Sequence, residues 1–254
     1  MPRIALISAM QQELSLVLQH MQHSPASAAC QCVGGRNFWT GQLFGRDVVA
    51  VLCGIGKVSA ATTATLLVER FAVQSLLFTG AAGGLGEGVA VGDVVIASAL
   101  LQHDMDASPL FPRFEAPLYG RAQFCTNAAL SDALAQAARS ALAAPAAALG
   151  DNAVAEFALH RPQLHRGLVI SGDRFVSTKL ESDTLRQLLP QALAVEMEGA
   201  AVAQVCHDFG LPFAVMRTIS DRADDTAHVN FMRFIDRVAS RYSWAVLRAL
   251  LARA

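Results

Sequence analysis

Four acidic residues in this chain stand where apolar runs give way to polar ones. Glu13 lies in Ala9-Met10-Gln11-Gln12-Glu13, just after Ile4–Ser8. Glu196 and Glu198 flank Met197 directly after Ala192-Leu193-Ala194-Val195. Asp221 ends the segment Arg217-Thr218-Ile219-Ser220-Asp221. Burying a carboxylate is costly unless it is paired or hydrogen-bonded, so acids set against apolar runs call for an explanation. Carboxylates that converge on one cleft can move protons and hold developing positive charge. Plainer roles stand beside this one. Glu13 could be a first-turn helix acid favoured by the helix dipole, and Asp221 could cap the turn that follows it. Alternation along a strand end would put Glu196 and Glu198 on one face.

Two glycine-rich stretches accompany the acids. Cys53-Gly54-Ile55-Gly56-Lys57-Val58-Ser59 follows one apolar run and opens a helical pattern. Ser59 stands where a dinucleotide fingerprint has its third glycine, and the stretch is too short for a P-loop. Thr79-Gly80-Ala81-Ala82-Gly83-Gly84 suits close approach of the backbone to a flat ligand. His103-Asp104-Met105-Asp106 holds one imidazole with no second histidine near it, so we expect it to order a loop and bind no metal.

The elements that must position these residues follow from the apolar pattern. Short runs rich in β-branched residues, at Ile4–Ser8, Val48–Cys53, Ser75–Thr79, Asp93–Ala97, Gly167–Ser171, Ala192–Glu196 and Phe213–Ile219, read as buried strands. Helical patterns cover Gln11–Met21, Lys57–Phe71, Ser131–Ala144, Met197–Phe209 and an amphipathic Phe231–Leu251. Strands alternating with helices predict a three-layer α/β/α fold with a mixed, mostly parallel central sheet. In such sheets ligands bind outside the carboxyl ends of the strands, where the acids lie.

Composition narrows the classes. With 254 residues, 53% of them hydrophobic, the chain suits a single domain spanning 1–254. Charged residues make up 16% and the net charge is -1, with no basic stripe for a nucleic-acid partner. No stretch approaches the roughly 18 apolar residues of a membrane span. The apolar run Ile4–Ile7 is too short for a signal peptide, so a cytoplasmic location is expected. Five irregularly spaced cysteines read as free thiols.

Six segments, in order, resemble one family: Ala9–Glu13, Gly54–Val58, Thr79–Gly84, Gly172-Asp173-Arg174-Phe175-Val176, Ala194–Ala200 and Arg217–Asp221. They are similar to the nucleoside phosphorylase/nucleosidase superfamily, nearest the bacterial 5'-methylthioadenosine/S-adenosylhomocysteine nucleosidases. The resemblance implies hydrolysis of a purine nucleoside without cofactor or metal, in methionine salvage and methyl-cycle recycling, by a homodimer. It implies that Glu13 activates water, Glu198 holds the ribose hydroxyls and the cationic sugar, and Asp221, oriented by Ser220, protonates N7 of adenine. In an apolar site that carboxyl would stay protonated at neutral pH. Phe175 would stack on the base and the Val176 backbone would read its edge. Met10, Ile55, Met197 and Phe231 would line the sugar and 5' pocket, while Arg217 orients the carboxylates. Ala81, Gly83 and Glu196 are further expected contacts. Ala81 stands where many relatives carry serine, and the loop Ala107–Pro112 departs from the usual pattern, which leaves the preferred 5' group open. Neither the loop after the first strand, Met10-Gln11-Gln12-Glu13, nor the Gly80–Gly84 loop carries the arginines of a phosphate clamp, which favours water over phosphate as the nucleophile. A phosphorylase, a non-catalytic nucleoside-binding module and a dinucleotide-binding protein remain as alternatives.

Overall fold

The structure, a computed structural model, describes residues 2–23, 28–223 and 231–252. It begins with β1 (Ile4–Ser8), α1 (Gln11–Gln22), β2 (Ala29–Val33), β3 (Arg36–Leu43), β4 (Arg46–Leu52) and α2 (Lys57–Phe71). β5 (Ser75–Gly84), β6 (Val94–Gln102), β7 (Gln123–Cys125), α3 (Ala128–Leu142), α4 (Pro145–Leu149) and α5 (Asp151–Glu156) follow. Then come β8 (Leu164–Ser171), α6 (Lys179–Leu188), β9 (Ala192–Glu196), α7 (Gly199–Asp208) and β10 (Phe213–Asp221). The last described segment is α8 (Phe231–Phe234), a π-helical turn (Ile235–Ala239) and α9 (Ser240–Leu251).

The ten strands form one mixed sheet, in the order β10-β6-β8-β9-β5-β1-β4-β3-β2, with β7 on β6 and a further pairing of β10 to β5. β1 runs parallel to β4 and β5, and β5 parallel to β10. β9 pairs antiparallel with the end of β5 at Gly83 and Gly84, which closes β5, β10, β6, β8 and β9 into a ring. The carboxyl ends of β1, β5 and β10 therefore sit side by side, with the end of β9 next to them.

Strands buried on both faces read as continuous apolar runs because alternate side chains feed two cores. On one side Ile7, Val49, Phe78, Val95 and Val215 pack beneath α2 and α7. On the other, Leu6, Val48, Leu77, Ile96 and Ala214 pack beneath α1, α3 and α9. Burying each of the valine, leucine, isoleucine and phenylalanine side chains among them contributes about 1.5–3 kcal/mol. This is the three-layer arrangement the alternation of elements predicts.

Some elements escape the apolar pattern. β2 and β3 form a hairpin across Gly34 (φ 56°) and Gly35 (φ 74°), the left-handed pair that a two-residue turn requires. β2 is mostly exposed, so no apolar run announces it. α6 starts at Thr178, whose hydroxyl accepts from Glu181 N at 3.3 Å while donating to Glu181 Oε2 at 2.9 Å; Thr-x-x-Glu was its available signal. α3 begins earlier than expected because Asn127 Oδ1 caps Leu130 N at 3.0 Å. The expected helix Phe231–Leu251 is interrupted by the π-helical turn. β5 does not stop at Thr79 but continues through the glycine-rich stretch to Gly84.

Candidate active site

The ends of β1, β5, β9 and β10 enclose a cavity of about 310 Å³, within the lower range of small-molecule sites. Its walls include Met10, Ile55, Phe175, Val176, Met197, Phe231 and Met232, and its acids are Glu13, Glu196, Glu198 and Asp221. Ala81 and Gly83 line it as well. Of the residues expected from sequence, Arg217 and Ser220 alone do not line it; both are buried behind the acids. Phe175 and Phe231 meet edge to face at 5.7 Å, forming one aromatic wall. Met232, next to Phe231, is a lining residue that the sequence did not single out.

Glu13 sits in the first turn of α1, where its Oε2 accepts from Ala9 N and Met10 N, both at 3.0 Å. Its Oε1 accepts from Ala81 N at 2.9 Å, across the strand order on β5. The helix-capping role and a place in the cleft thus coincide in one side chain. Three acceptor sites are used, and a carboxylate has about four. Burial raises the Glu13 pKa, against the pull of Arg217 and the three backbone donors.

Glu196 and Glu198 do not share a strand face. Glu196 ends β9, whereas Glu198 (φ -134°, ψ -38°) has left the strand and is the N-cap residue of α7. Glu196 accepts from the Ser171 hydroxyl, from Gly199 N at 2.8 and 2.9 Å, and from Arg217 Nη2 at 2.5 Å. Glu198 Oε1 accepts from Gly56 N at 2.9 Å, at the start of α2. Burial, and then the charge of Glu196, push the Glu198 carboxyl from 4.5 up to about 8.

Arg217 is the cation among these acids. It is 1% exposed and stacks over the Phe78 ring at 4.0 Å. Burial works against its charge, but the acids, Glu196 foremost, outweigh that, and its pKa moves up. Such a pair is costly to break from one side, by about 3–5 kcal/mol.

Asp221 is aimed by an irregularity in β10. The register with β5 shifts between Ile219 and Asp221, and such bulges redirect side chains. Its Oδ2 accepts from Ser220 Oγ at 2.6 Å and its Oδ1 from Ala223 N at 2.8 Å. The glycines expected to admit a ligand also admit these side chains. A Cβ on Gly80 would lie 3.0 Å from Glu13 Oε1 and 3.1 Å from Arg217 Nη1. One on Gly83 would lie 2.9 Å from the Ala223 Cβ and 3.0 Å from Asp221 Oδ1. Gly83→Ala is therefore expected to displace Asp221 and cut turnover by about 100-fold, the scale of an ångström-sized misplacement. Kinetics on the purified, folded variant check this; an unaffected rate contradicts it.

The comparisons agree end to end. The phosphorylase superfamily model matches residues 3–252. A 5'-methylthioadenosine/S-adenosylhomocysteine nucleosidase of Shewanella halifaxensis is 35% identical over 249 residues, 98% of either chain. The solved structure of the Neisseria meningitidis 5'-methylthioadenosine/S-adenosylhomocysteine nucleosidase in complex with methylthio-immucillin-A superposes with a TM-score of 0.85 at 31% identity, covering 100% of both chains. Futalosine hydrolase of Helicobacter pylori gives 0.82 at 30% identity, over 100% of this chain and 98% of that one. Similar in sequence and in fold over its whole matched length, the chain belongs to the phosphorylase superfamily, with nucleosidases among its near relatives.

Proposed function

We propose that this protein hydrolyses the N-glycosidic bond of 5'-methylthioadenosine and S-adenosylhomocysteine, and by the same chemistry 5'-deoxyadenosine, releasing adenine, in methionine salvage and methyl-cycle recycling. One observation carries the reading. Glu13, Glu198 and Asp221 face a single cavity with apolar walls, where the one cation among its described lining residues is Arg174. Arg174 is 77% exposed at the side chain and paired with Glu181 at 2.5 Å.

Cleavage of a glycosidic bond passes through an oxocarbenium-like state, and carboxylates near the sugar stabilise that charge. Glu198 takes this role and holds the ribose hydroxyls. Glu13, with its raised pKa, takes the proton of the attacking water. Asp221, held by Ser220, protonates N7, because adenine leaves poorly as an anion. Phe175 stacks on the base, the Val176 backbone reads its edge, and Ala81 and Gly83 give the base room. Met10, Ile55, Met197 and Phe231 enclose the sugar and 5' group. Glu196, at the cavity wall, and Arg217, behind it, pair with each other and fix the start of α7.

A site ringed by acids repels phosphate, and among the described residues no group of three or more His, Cys, Asp or Glu side chains is placed to hold a metal ion, so turnover should need neither phosphate nor a metal. The assay incubates enzyme with methylthioadenosine, adenosylhomocysteine, adenosine, inosine and futalosine, with and without phosphate and chelator. Free base and free sugar without phosphate are expected, and the panel ranks the 5' groups. Strict phosphate dependence contradicts the reading and points to a phosphorylase.

Titration gives a second expected outcome. Glu198 must be ionised to stabilise the cation, so kcat/KM should rise with pH up to about 8. Stability should run the other way. A carboxyl raised from 4.5 to about 8 on folding holds a proton that the unfolded chain releases, so its contribution is full below 4.5 and is lost as pH rises through 8. Tm measured across that window should fall with pH in the wild type and fall less in Glu198→Gln. Equal slopes would rule out Glu198 as the titrating group.

The functional unit in this proposal is a homodimer of single-domain chains. Leu110 and Leu118, in the loop after β6, are 84% and 90% exposed, and none of the residues of Ala107–Pro112 lines the cavity of its own chain. The reading has the loop of one chain completing the 5' pocket of the other.

A further inference from the structure

Three side chains outside the cavity make a closed circuit beside it. Lys57 is the first residue of α2, Asp104 lies just past β6, and Asp173 lies just past β8. The Lys57 backbone N–H donates to Asp173 Oδ1 at 2.7 Å. The Asp173 backbone N–H donates to Asp104 Oδ2 at 2.9 Å. Lys57 Nζ then donates to Asp104 Oδ1 at 2.6 Å, which closes the loop, and to Gln102 Oε1 at 3.0 Å. Gln102 Nε2 in turn donates to Gln204 Oε1 on α7 at 2.8 Å.

Both ends of this circuit lead into the cavity. Gly56, immediately before Lys57, presents its N–H to Glu198 with φ 97°, a backbone state open to glycine, and a Cβ there would lie 3.2 Å from Asp173 Oδ1. Phe175 and Val176 lie two and three residues beyond Asp173. The segment's base is already fixed, since Gly172 packs so closely on the His103 ring that a Cβ there would lie 2.3 Å from Nε2. Beyond that point Asp173 ties it to α2.

We propose that Lys57, Asp104 and Asp173 are positioning residues: their ring locks the segment bearing Phe175 and Val176 to the start of α2 and so keeps the Gly56 N–H on the Glu198 carboxylate. The inference rests on the assignment of this cavity as the nucleosidase site. It gives the Gly-Ile-Gly-Lys and Gly-Asp-Arg-Phe-Val segments one shared task, and it gives the His103-Asp104 pair its place. The ring is charged where it is half-exposed. The Asp104 pKa is lowered although burial alone would raise it, because Lys57 and the Asp173 N–H outweigh burial.

The experiment compares Asp173→Ala, Asp173→Asn, Asp104→Asn, Asp104→Ala and the double alanine variant. It reads Tm, kcat and KM, and amide hydrogen exchange at Gly56 and Lys57. Asp173→Ala should keep its Tm within a few degrees, expose both amides to exchange, lower kcat and raise KM, with kcat/KM down about 10- to 100-fold, as for lost supporting contacts. Asp173→Asn retains an oxygen facing the Lys57 N–H and should restore most of the rate and the protection. The double variant should be no worse than the poorer single one, since either change opens the same ring. Asp104→Asn, the mildest change, covers the case in which an alanine variant does not fold. Unchanged exchange at Gly56 and Lys57, losses that track Tm alone, or additive losses in the double variant overturn the proposal. If the wild type releases no adenine, the nucleosidase assignment fails, and the exchange measurement still decides whether the ring holds Gly56.

Discussion

Glu198→Gln is expected to lower kcat by about 100- to 1,000-fold, the usual cost of removing one preorganised electrostatic contact to the transition state. Its fold should be intact. Glutamine keeps a carbonyl oxygen where Glu198 Oε1 accepts from Gly56 N at 2.9 Å, so the junction of α2 and α7 is preserved. The neutral amide also relieves two penalties that fall on the carboxylate, burial and the neighbouring charge of Glu196. Above pH 8 the variant should therefore be at least as stable as the wild type while being far less active, the pattern expected where stability is given up for function. KM should move little if the carboxylate acts chiefly on the sugar cation, because a contact made only in the transition state appears in kcat. Steady-state kinetics and thermal melts on the same preparation decide the matter. A near-normal kcat removes Glu198 from the chemistry, and a collapsed Tm would recast it as a structural cap of α7.

The positions of the acids were legible because they follow strands buried on both faces. Ile4–Ser8 and Ala192–Glu196 match the observed β1 and β9 residue for residue, since a doubly buried strand reads as a near-continuous apolar run, here up to its polar last residue. How the acids are held was not legible. Glu196 has the same type and nearly the same place as Glu198, yet it is bound by Ser171 and Arg217, which come from β8 and β10. Both acids line the cavity, and only the tertiary arrangement shows that the Glu196 oxygens are taken up by protein donors. The glycines of Thr79–Gly84 suit close approach of a ligand, and Gly83 does line the cavity, but at Gly80 and Gly83 the missing Cβ also makes room for Glu13, Arg217, Asp221 and Ala223. The hairpin of β2 and β3 was marked by Gly34-Gly35, but its outer strand buries too little to show a period. The roles of Asp173 and Asp104 were not legible in the sequence, because their partner is a backbone N–H or a lysine more than 40 residues away.

Asp221→Asn should slow release of adenine by about 100- to 10,000-fold, the range for loss of a positioned general acid. For a p-nitrophenyl glycoside of the same sugar the loss should be much smaller. The two substrates share the oxocarbenium-like step and the Glu198 contact, and they differ in the leaving group. Adenine needs a proton at N7, whereas nitrophenolate departs without one. The substitution is mild for the fold. Asparagine keeps an oxygen to accept from Ala223 N, now at 2.8 Å from Asp221 Oδ1, and its amide can face Ser220 Oγ, now 2.6 Å from Oδ2. The turn that Asp221 caps should therefore survive, and a lost cap would in any case cost only about 1 kcal/mol of stability, with no dependence on the leaving group. Measuring kcat/KM for both substrates in wild type and variant isolates the proton, because any general distortion of the cavity divides out of the ratio. If both substrates slow by the same factor, Asp221 is not the acid, and its bond to Ala223 N is its main role.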